Sequence, residues 1–173
     1  MNEALMYAKY NQAGNKAVYA ILDGMSHDER EKDRGSYYGS LSGLLRHVIG
    51  ATCFFLGMFR TPLSGNAAAI RAIDSLPSMP PEGALNEAHW KGLCKTLETT
   101  DAAYVAMTES LRGADLLLPV KIDWYDGNPA EVPLFFLLSQ LVAHNTHHRG
   151  QISQVLDSLK IDNDFSGIDA AFL

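Results

Sequence analysis

The chain of 173 residues is 47% hydrophobic and 20% charged, which predicts one globular domain of the soluble class over residues 1–173. Its net charge is −6 and its lysines and arginines form no cluster, so nucleic acid is not an expected partner. The first residues lack the pattern of a signal peptide, and the longest apolar runs are far shorter than the ~20 residues that span a bilayer. The two cysteines, Cys53 and Cys94, suit reduced thiols in apolar surroundings, so a cytoplasmic protein with no membrane partner is expected.

Apolar residues at helical spacing predict a first helix over residues 2–22. Within it, the motif Tyr10-Asn11-x-x-Gly14-Asn15 places two asparagines four positions apart. Ser26-x-x-Glu29 follows in the order of a capping box and predicts a short helical turn, in which His27 is expected at the surface.

A second helix is predicted over residues 40–59, and His47 lies on the flank of its apolar face, pointing inward. Residues 60–84 hold four of the seven prolines, which predicts a long connection with a short helix over residues 67–73. A connection of this length suits a crossover between bundle helices that are not antiparallel neighbours.

A third helix is predicted over residues 84–111, with His89 structural or exposed near its start. Alternating β-branched and polar residues after Leu116 predict a short hairpin that turns near Asp126-Gly127. Pro133 fits the first position of a fourth helix, which is predicted to run to about residue 160.

Half of the histidines lie in the fourth helix, in the run His144-Asn145-Thr146-His147-His148-Arg149-Gly150-Gln151. Residues four apart stack on one helical face, so His144 and His148 can direct their rings to one point. The apolar line of the helix passes through both, whereas His147 belongs to a polar strip and is expected at the rim or outside. The pair His144/His147 is the open alternative.

A single histidine on an apolar face is most often a core residue with its own hydrogen-bond partner. Two on one buried face, with His47 as an inward-pointing third, favour a shared cation, because each buried polar group left unpaired costs ~1–3 kcal/mol. Three ring nitrogens with open positions match catalytic rather than structural zinc, and nickel, iron, manganese or cobalt suit the same ligands. Such a site favours an anionic ligand such as hydroxide, thiolate or a carboxylate.

The run is not the metalloprotease motif His-Glu-x-x-His, since Asn145 occupies the position of the general base. Asn145 is instead a candidate for hydrogen bonding to a ligand histidine. A buried amide satisfied by other partners is equally compatible with the sequence.

The combination of His144-x-x-x-His148-Arg149-Gly150-Gln151 with His47 in Leu44-Leu45-Arg46-His47-Val48-Ile49 resembles the DinB/YfiT-like family of metal-dependent proteins. The resemblance covers nearly the whole chain. It implies an up-down-down-up four-helix bundle with a long crossover, often dimeric, and a metal site of His47, His144 and His148 that opens to a pocket. Related members are thiol-dependent transferases and isomerases, in which the metal binds a low-molecular-weight thiol as thiolate, and others have no assigned activity.

The prediction is therefore an all-α four-helix bundle with a small β-hairpin before the last helix, acting as a metal-dependent enzyme on a small-molecule substrate. Zinc or nickel at the three-histidine site, with iron, manganese or cobalt as alternatives, activates a low-molecular-weight thiol or water. A homodimer is expected, and the Trp124-Tyr125 hairpin is expected to form a rim of the pocket. The alternative is a non-catalytic metal-binding bundle or interaction module. No catalytic or substrate-binding residue is assigned.

Overall fold

The computed structural model describes residues 3–79, 85–123 and 128–169. Its long helices are α1 (Glu3–Asp23), α3 (Leu41–Met58), α5 (Glu87–Ser110) and α6 (Leu134–Ser158). The shorter elements are α2 (His27–Glu31), α4 (Ala67–Asp74), a 3₁₀ turn (Asp115–Leu117) and the antiparallel strands β1 (Pro119–Ile122) and β2 (Ala130–Pro133). The predicted helical fold with a small hairpin before the last helix is confirmed.

Side-chain oxygens cap the starts of four of these helices by accepting a hydrogen bond from a backbone N–H three residues on. The capping residues are Ser26 for α2, Ser40 for α3, Asn66 for α4 and Asn86 for α5. The predicted capping interaction of Ser26 with Glu29 is present, at 3.3 Å.

The start of α6 differs from the prediction by one residue. Pro133 does not occupy the first helical position; its backbone is extended, at φ −67° and ψ 148°, and it lies at the N-cap position without a side-chain capping hydrogen bond. The reason is that Pro133 is still the last residue of β2, where it lies opposite Pro119. The predicted turn near Asp126-Gly127 and the rim at Trp124-Tyr125 lie outside the described residues.

Two hydrophobic clusters define the direction of the long helices. One cluster joins the end of α1 and of α6 to the beginning of α3 and of α5; its members include Val18, Leu22, Leu44, Leu45, Leu93, Leu97, Ile152 and Leu156. The other joins the beginning of α1 and of α6 to the end of α3 and of α5; its members include Ala8, Phe55, Leu56, Tyr104, Met107, Leu137 and Leu138. Helices α1 and α6 therefore run one way and α3 and α5 the other, which is the up-down-down-up arrangement.

The parallel pair α3 and α5 needs a connection along the full length of the bundle; in its described part, residues 59–79 and 85–86, α4 packs on α5. Leu156 contributes to the buried side of α6, whereas Leu159, just past the end of the helix, is 37% exposed.

Among the described residues, α3 is the one helix long and apolar enough to cross a membrane by length and composition alone. Half of it is buried inside the bundle, as expected of a core helix. Cys53 in this helix and Cys94 in α5 are both free thiols.

A polar layer separates the two hydrophobic clusters at mid-height of the bundle. Each long helix contributes at least one buried polar side chain to it: Asn11, Asn15, Thr52, Thr100, Asp101, Asn145 and Arg149. Because buried polar groups must be hydrogen-bonded to one another, this layer links all four long helices at one level. The histidines lie beside it.

Candidate metal centre

The structure brings His47 of α3 together with His144 and His148, which are one turn apart on α6. Their candidate ligand atoms all lie within 4.8 Å of one another. The Nε2 atoms of His47 and His144 are 3.0 Å apart, and the ring centroids of His47 and His148 are 4.5 Å apart. The predicted convergence of these three side chains is confirmed, and they form a group that could hold a metal ion.

The remaining histidines are not members of this cluster. His147 is exposed, and its ring meets that of His148 edge-on, with centroids 4.9 Å apart, without joining the cluster. The i, i+4 pair rather than the i, i+3 pair is therefore the inward one. His27 and His89 are also exposed, as predicted.

The spacing of the three rings is close to what one ion requires. Two nitrogens bound to one ion at ~2.1 Å in tetrahedral geometry are about 3.4 Å apart, so shifts on the order of one ångström bring the whole group into range. His148 is buried, whereas His47 and His144 are half-buried, so one side of the cluster stays accessible.

Hydrogen bonds from Arg149 determine how the asparagines of the polar layer are oriented. A guanidinium can only donate, so the atoms that receive its bonds must be oxygens: Oδ1 of Asn11 at 2.9 Å and Oδ1 of Asn15 at 3.2 Å. The amide nitrogens of both asparagines therefore face Asp101, with distances of 3.0 Å from each to Oδ1. The carboxylate of Asp101 accepts these hydrogen bonds at the end of the network opposite Arg149.

The same reasoning assigns the proton on His144. Oδ1 of Asn11 is an acceptor, so the group of Asn145 that approaches it at 3.0 Å is the amide nitrogen, which also donates to Thr52 Oγ1. Oδ1 of Asn145 then faces Nδ1 of His144 at 3.2 Å. Because a carbonyl oxygen only accepts, His144 carries its proton on Nδ1, and its Nε2 presents a lone pair to His47.

His148 is oriented in a similar way by its own helix. Its Nδ1 lies 2.7 Å from Oε1 of Gln151, one turn on, and donates its proton there, which leaves Nε2 free. Because Nε2 of His144 carries no proton, its 3.0 Å approach to Nε2 of His47 is favourable only with a proton on His47 or a cation between the rings. The donor set and its proton positions fit a metal ion bound through nitrogen.

Gly14 provides the space for Arg149. A Cβ at this position would lie 3.0 Å from Nε of Arg149, so the guanidinium packs directly on the backbone of α1. The guanidinium also lies over the ring of Tyr10, 4.9 Å from its centroid. The motif Tyr10-Asn11-x-x-Gly14-Asn15 therefore forms the surface of α1 on which the Arg149 side chain packs.

Burial sets the charge state of the cluster. Desolvation lowers the pKa of His47 to about 4, and the neighbouring His148 and His144 act in the same direction. Desolvation likewise lowers the pKa of His148. Both rings are therefore neutral at pH 7, which is the form that binds metals. Burial raises the pKa of Asp101 to about 7, against the opposing effects of Asn15, Arg149 and Asn11.

Two residues of the site were not predicted from the sequence. Asp101 had a detectable signal, since Leu97 and Tyr104 lie one turn before and after it and place a carboxylate on the apolar face of α5. Tyr38 had none, because it lies in an irregular loop. Its hydroxyl is 2.9 Å from Nε2 of His47, and its ring stacks on that imidazole with centroids 3.9 Å apart.

Comparison with known proteins adds one finding to this geometry. The family model described as DinB family matches residues 1–159, which include all three clustered histidines and the whole polar layer. Comparisons with curated proteins and with solved structures gave no significant match.

Proposed function

Since the chain belongs to the DinB family, we propose that it is a metal-dependent enzyme whose His47, His144 and His148 bind one divalent transition metal. We propose zinc or nickel as the metal and a low-molecular-weight thiol or water as the group activated there. The observation that carries the proposal is the convergence of three imidazoles, two of which have their second nitrogen committed to a carbonyl oxygen.

The chemistry of the ligands supports a catalytic site more than a structural one. Structural zinc normally has four protein ligands, whereas three histidines leave at least one position for an exogenous group. A divalent cation held by three neutral ligands supplies a Lewis acid that lowers the pKa of a thiol or water. The half-buried rings of His47 and His144 leave a route by which a small molecule can approach.

The residues of the chain contribute position and proton control. Asn145 holds the ring of His144, and Gln151 holds that of His148, so that neither ring can turn its protonated nitrogen inward. Such contacts to ligand histidines typically account for 10–100-fold in metal affinity.

Metal analysis of protein purified without a histidine tag tests the site. We expect about one equivalent of transition metal in the wild type and less than half an equivalent in His148→Ala. His147→Ala is the matched control, because His147 is the exposed neighbour outside the cluster, and it should retain the metal. A wild type with less than half an equivalent, unchanged in His148→Ala, would rule the site out.

Thiol titration of the cobalt-loaded protein tests the chemistry. Binding of a low-molecular-weight thiol to the metal should produce an intense sulfur-to-cobalt absorption band in the near ultraviolet. If no thiol or other small molecule changes the spectrum, and chelation lowers the melting temperature, the metal serves stability rather than catalysis.

A further inference from the structure

We propose that Tyr38 is the ligand-binding residue on the open side of the three-histidine cluster. In this proposal its hydroxyl donates a hydrogen bond to an anionic group that enters the site, and so favours anionic ligands over neutral ones. The proposal rests on the proposed function, because it requires a cation held by His47, His144 and His148.

Tyr38 is in contact with two of the three histidines. Its ring is stacked on His47 at a tilt of 21° and meets the ring of His148 edge-on, with centroids 5.4 Å apart. Its hydroxyl oxygen lies 2.9 Å from Nε2 of His47. The oxygen is therefore as close to this nitrogen as Nε2 of His144 is, at 3.0 Å. It lies at the metal-binding edge of the cluster.

The loop that carries Tyr38 is held by its own backbone. Gly39 donates to Ser36 O at 2.9 Å and its carbonyl accepts from Arg34 N at 2.9 Å. Gly35 and Gly39 have φ values of 74° and 70°, which side chains with a Cβ rarely adopt. The loop conformation thus depends on two glycines.

Contacts to α2 and α3 fix the loop to the bundle. The guanidinium of Arg34 donates to the backbone carbonyl of Glu29 at 2.8 Å and to its carboxylate at 2.7 Å. At the start of α3, the carbonyl of Tyr38 sits where a Cβ on Gly43 would be. Tyr38 is therefore positioned before any ligand arrives, which reduces the entropy cost of binding.

A bound cation changes what the hydroxyl can bond to. In the metal-free protein Nε2 of His47 carries the proton that its approach to Nε2 of His144 requires, so the Tyr38 hydroxyl can only accept there and its own proton has no acceptor on that nitrogen. A cation bound to that nitrogen leaves the hydroxyl no hydrogen bond to it, so the hydroxyl proton needs an acceptor elsewhere. An anion on the open side of the cluster supplies the acceptor.

Spectroscopic titration of the cobalt-loaded protein with azide tests this role. We expect Tyr38→Phe to weaken azide binding about tenfold or more, the loss typical of a hydrogen bond to a charged group. Binding of imidazole, a neutral probe, should change less than threefold. The affinity for cobalt itself should also stay within threefold, because the hydroxyl is not a metal ligand in this proposal.

Tyr37→Phe is the matched control. It makes the same substitution at the adjacent residue, whose side chain is 94% exposed, and it should leave all three affinities unchanged. Equal azide affinity in the two variants would overturn the role of Tyr38 while leaving the metal site intact. A tenfold loss of cobalt affinity in Tyr38→Phe would also overturn the proposed role, because it would indicate that the hydroxyl is itself a metal ligand. If the wild type binds no cobalt, the proposed function fails first and this proposal with it.

Discussion

Replacing Asn145 with alanine tests whether the polar layer controls the metal site. Asn145 is fully buried and bonds to His144 Nδ1 at 3.2 Å, Asn11 Oδ1 at 3.0 Å and Thr52 Oγ1 at 3.0 Å. In Asn145→Ala the imidazole of His144 can rotate and can carry its proton on either nitrogen. We therefore expect the dissociation constant for zinc or cobalt to rise about 10–100-fold.

The stability change follows from the same three contacts. At about 1 kcal/mol for each hydrogen bond, Asn145→Ala should lower the free energy of unfolding by about 3 kcal/mol. For a chain of this size, that corresponds to a fall of roughly 6–12 °C in the melting temperature. Urea denaturation of the metal-free protein measures the free energy directly, so that the loss of metal affinity is determined separately.

Thr52→Val distinguishes control of the histidine from general destabilisation. This variant removes the hydroxyl that accepts from Asn145 and donates to Val48 O, yet it leaves the contact between Asn145 and His144 in place. It should cost about 1–2 kcal/mol of stability while changing the metal affinity less than threefold. Nitrogen NMR of the imidazoles should show the Nδ1–H form of His144 in the wild type and in Thr52→Val, and a mixture in Asn145→Ala. If Asn145→Ala binds metal within threefold of the wild type, the assigned role of the polar layer is wrong.

Two further predictions concern the packing of Arg149 on Gly14 and the protonation of His47. Gly14→Ala should lower the free energy of unfolding by about 1–3 kcal/mol in urea denaturation, because its Cβ would lie 3.0 Å from Nε of Arg149. Gly150→Ala, which has open space around it, is the control and should be neutral or stabilising. Equal effects of the two substitutions would contradict the close packing of Arg149 on Gly14. Below pH 6.5 the unfolded chain takes up a proton at residue 47 that the folded protein accepts only near pH 4, so the metal-free protein should lose stability as pH falls through this window. Between pH 7.5 and pH 5 the melting temperature should fall less in His47→Ala than in the wild type. An equal fall in both proteins would refute the lowered pKa of His47.

The helices could be predicted because their signals are local. The apolar period predicted α3 over residues 40–59, and the helix spans Leu41–Met58. The start of α6 was less predictable, since strand pairing with Pro119 holds Pro133 extended although its φ suits a helix. Such pairing depends on a residue fourteen positions away. Local propensity was therefore enough to predict that α6 exists, whereas its first residue is determined by a tertiary contact.

The histidine cluster was partly predictable for the same reason. The pairing of His144 with His148 follows from helical geometry alone, and the position of His47 on the flank of an apolar face indicated its direction. The proton positions could not be predicted, because they depend on contacts with other helices. The orientation of Asn145 is known only once Asn11 of α1 and Thr52 of α3 are placed against it.

The run His148-Arg149-Gly150-Gln151 joins two functions in one turn of α6. His148 faces the cluster and Gln151 holds its Nδ1, while Arg149 points into the bundle and orients Asn11. A guanidinium can only donate, so Arg149 leaves the amides between it and Asp101 one consistent set of orientations. In this set of orientations the last amide, that of Asn145, presents its carbonyl oxygen to Nδ1 of His144 as an acceptor. A guanidinium buried in the core of a bundle is costly on its own; here it determines which nitrogen of a ligand histidine is free.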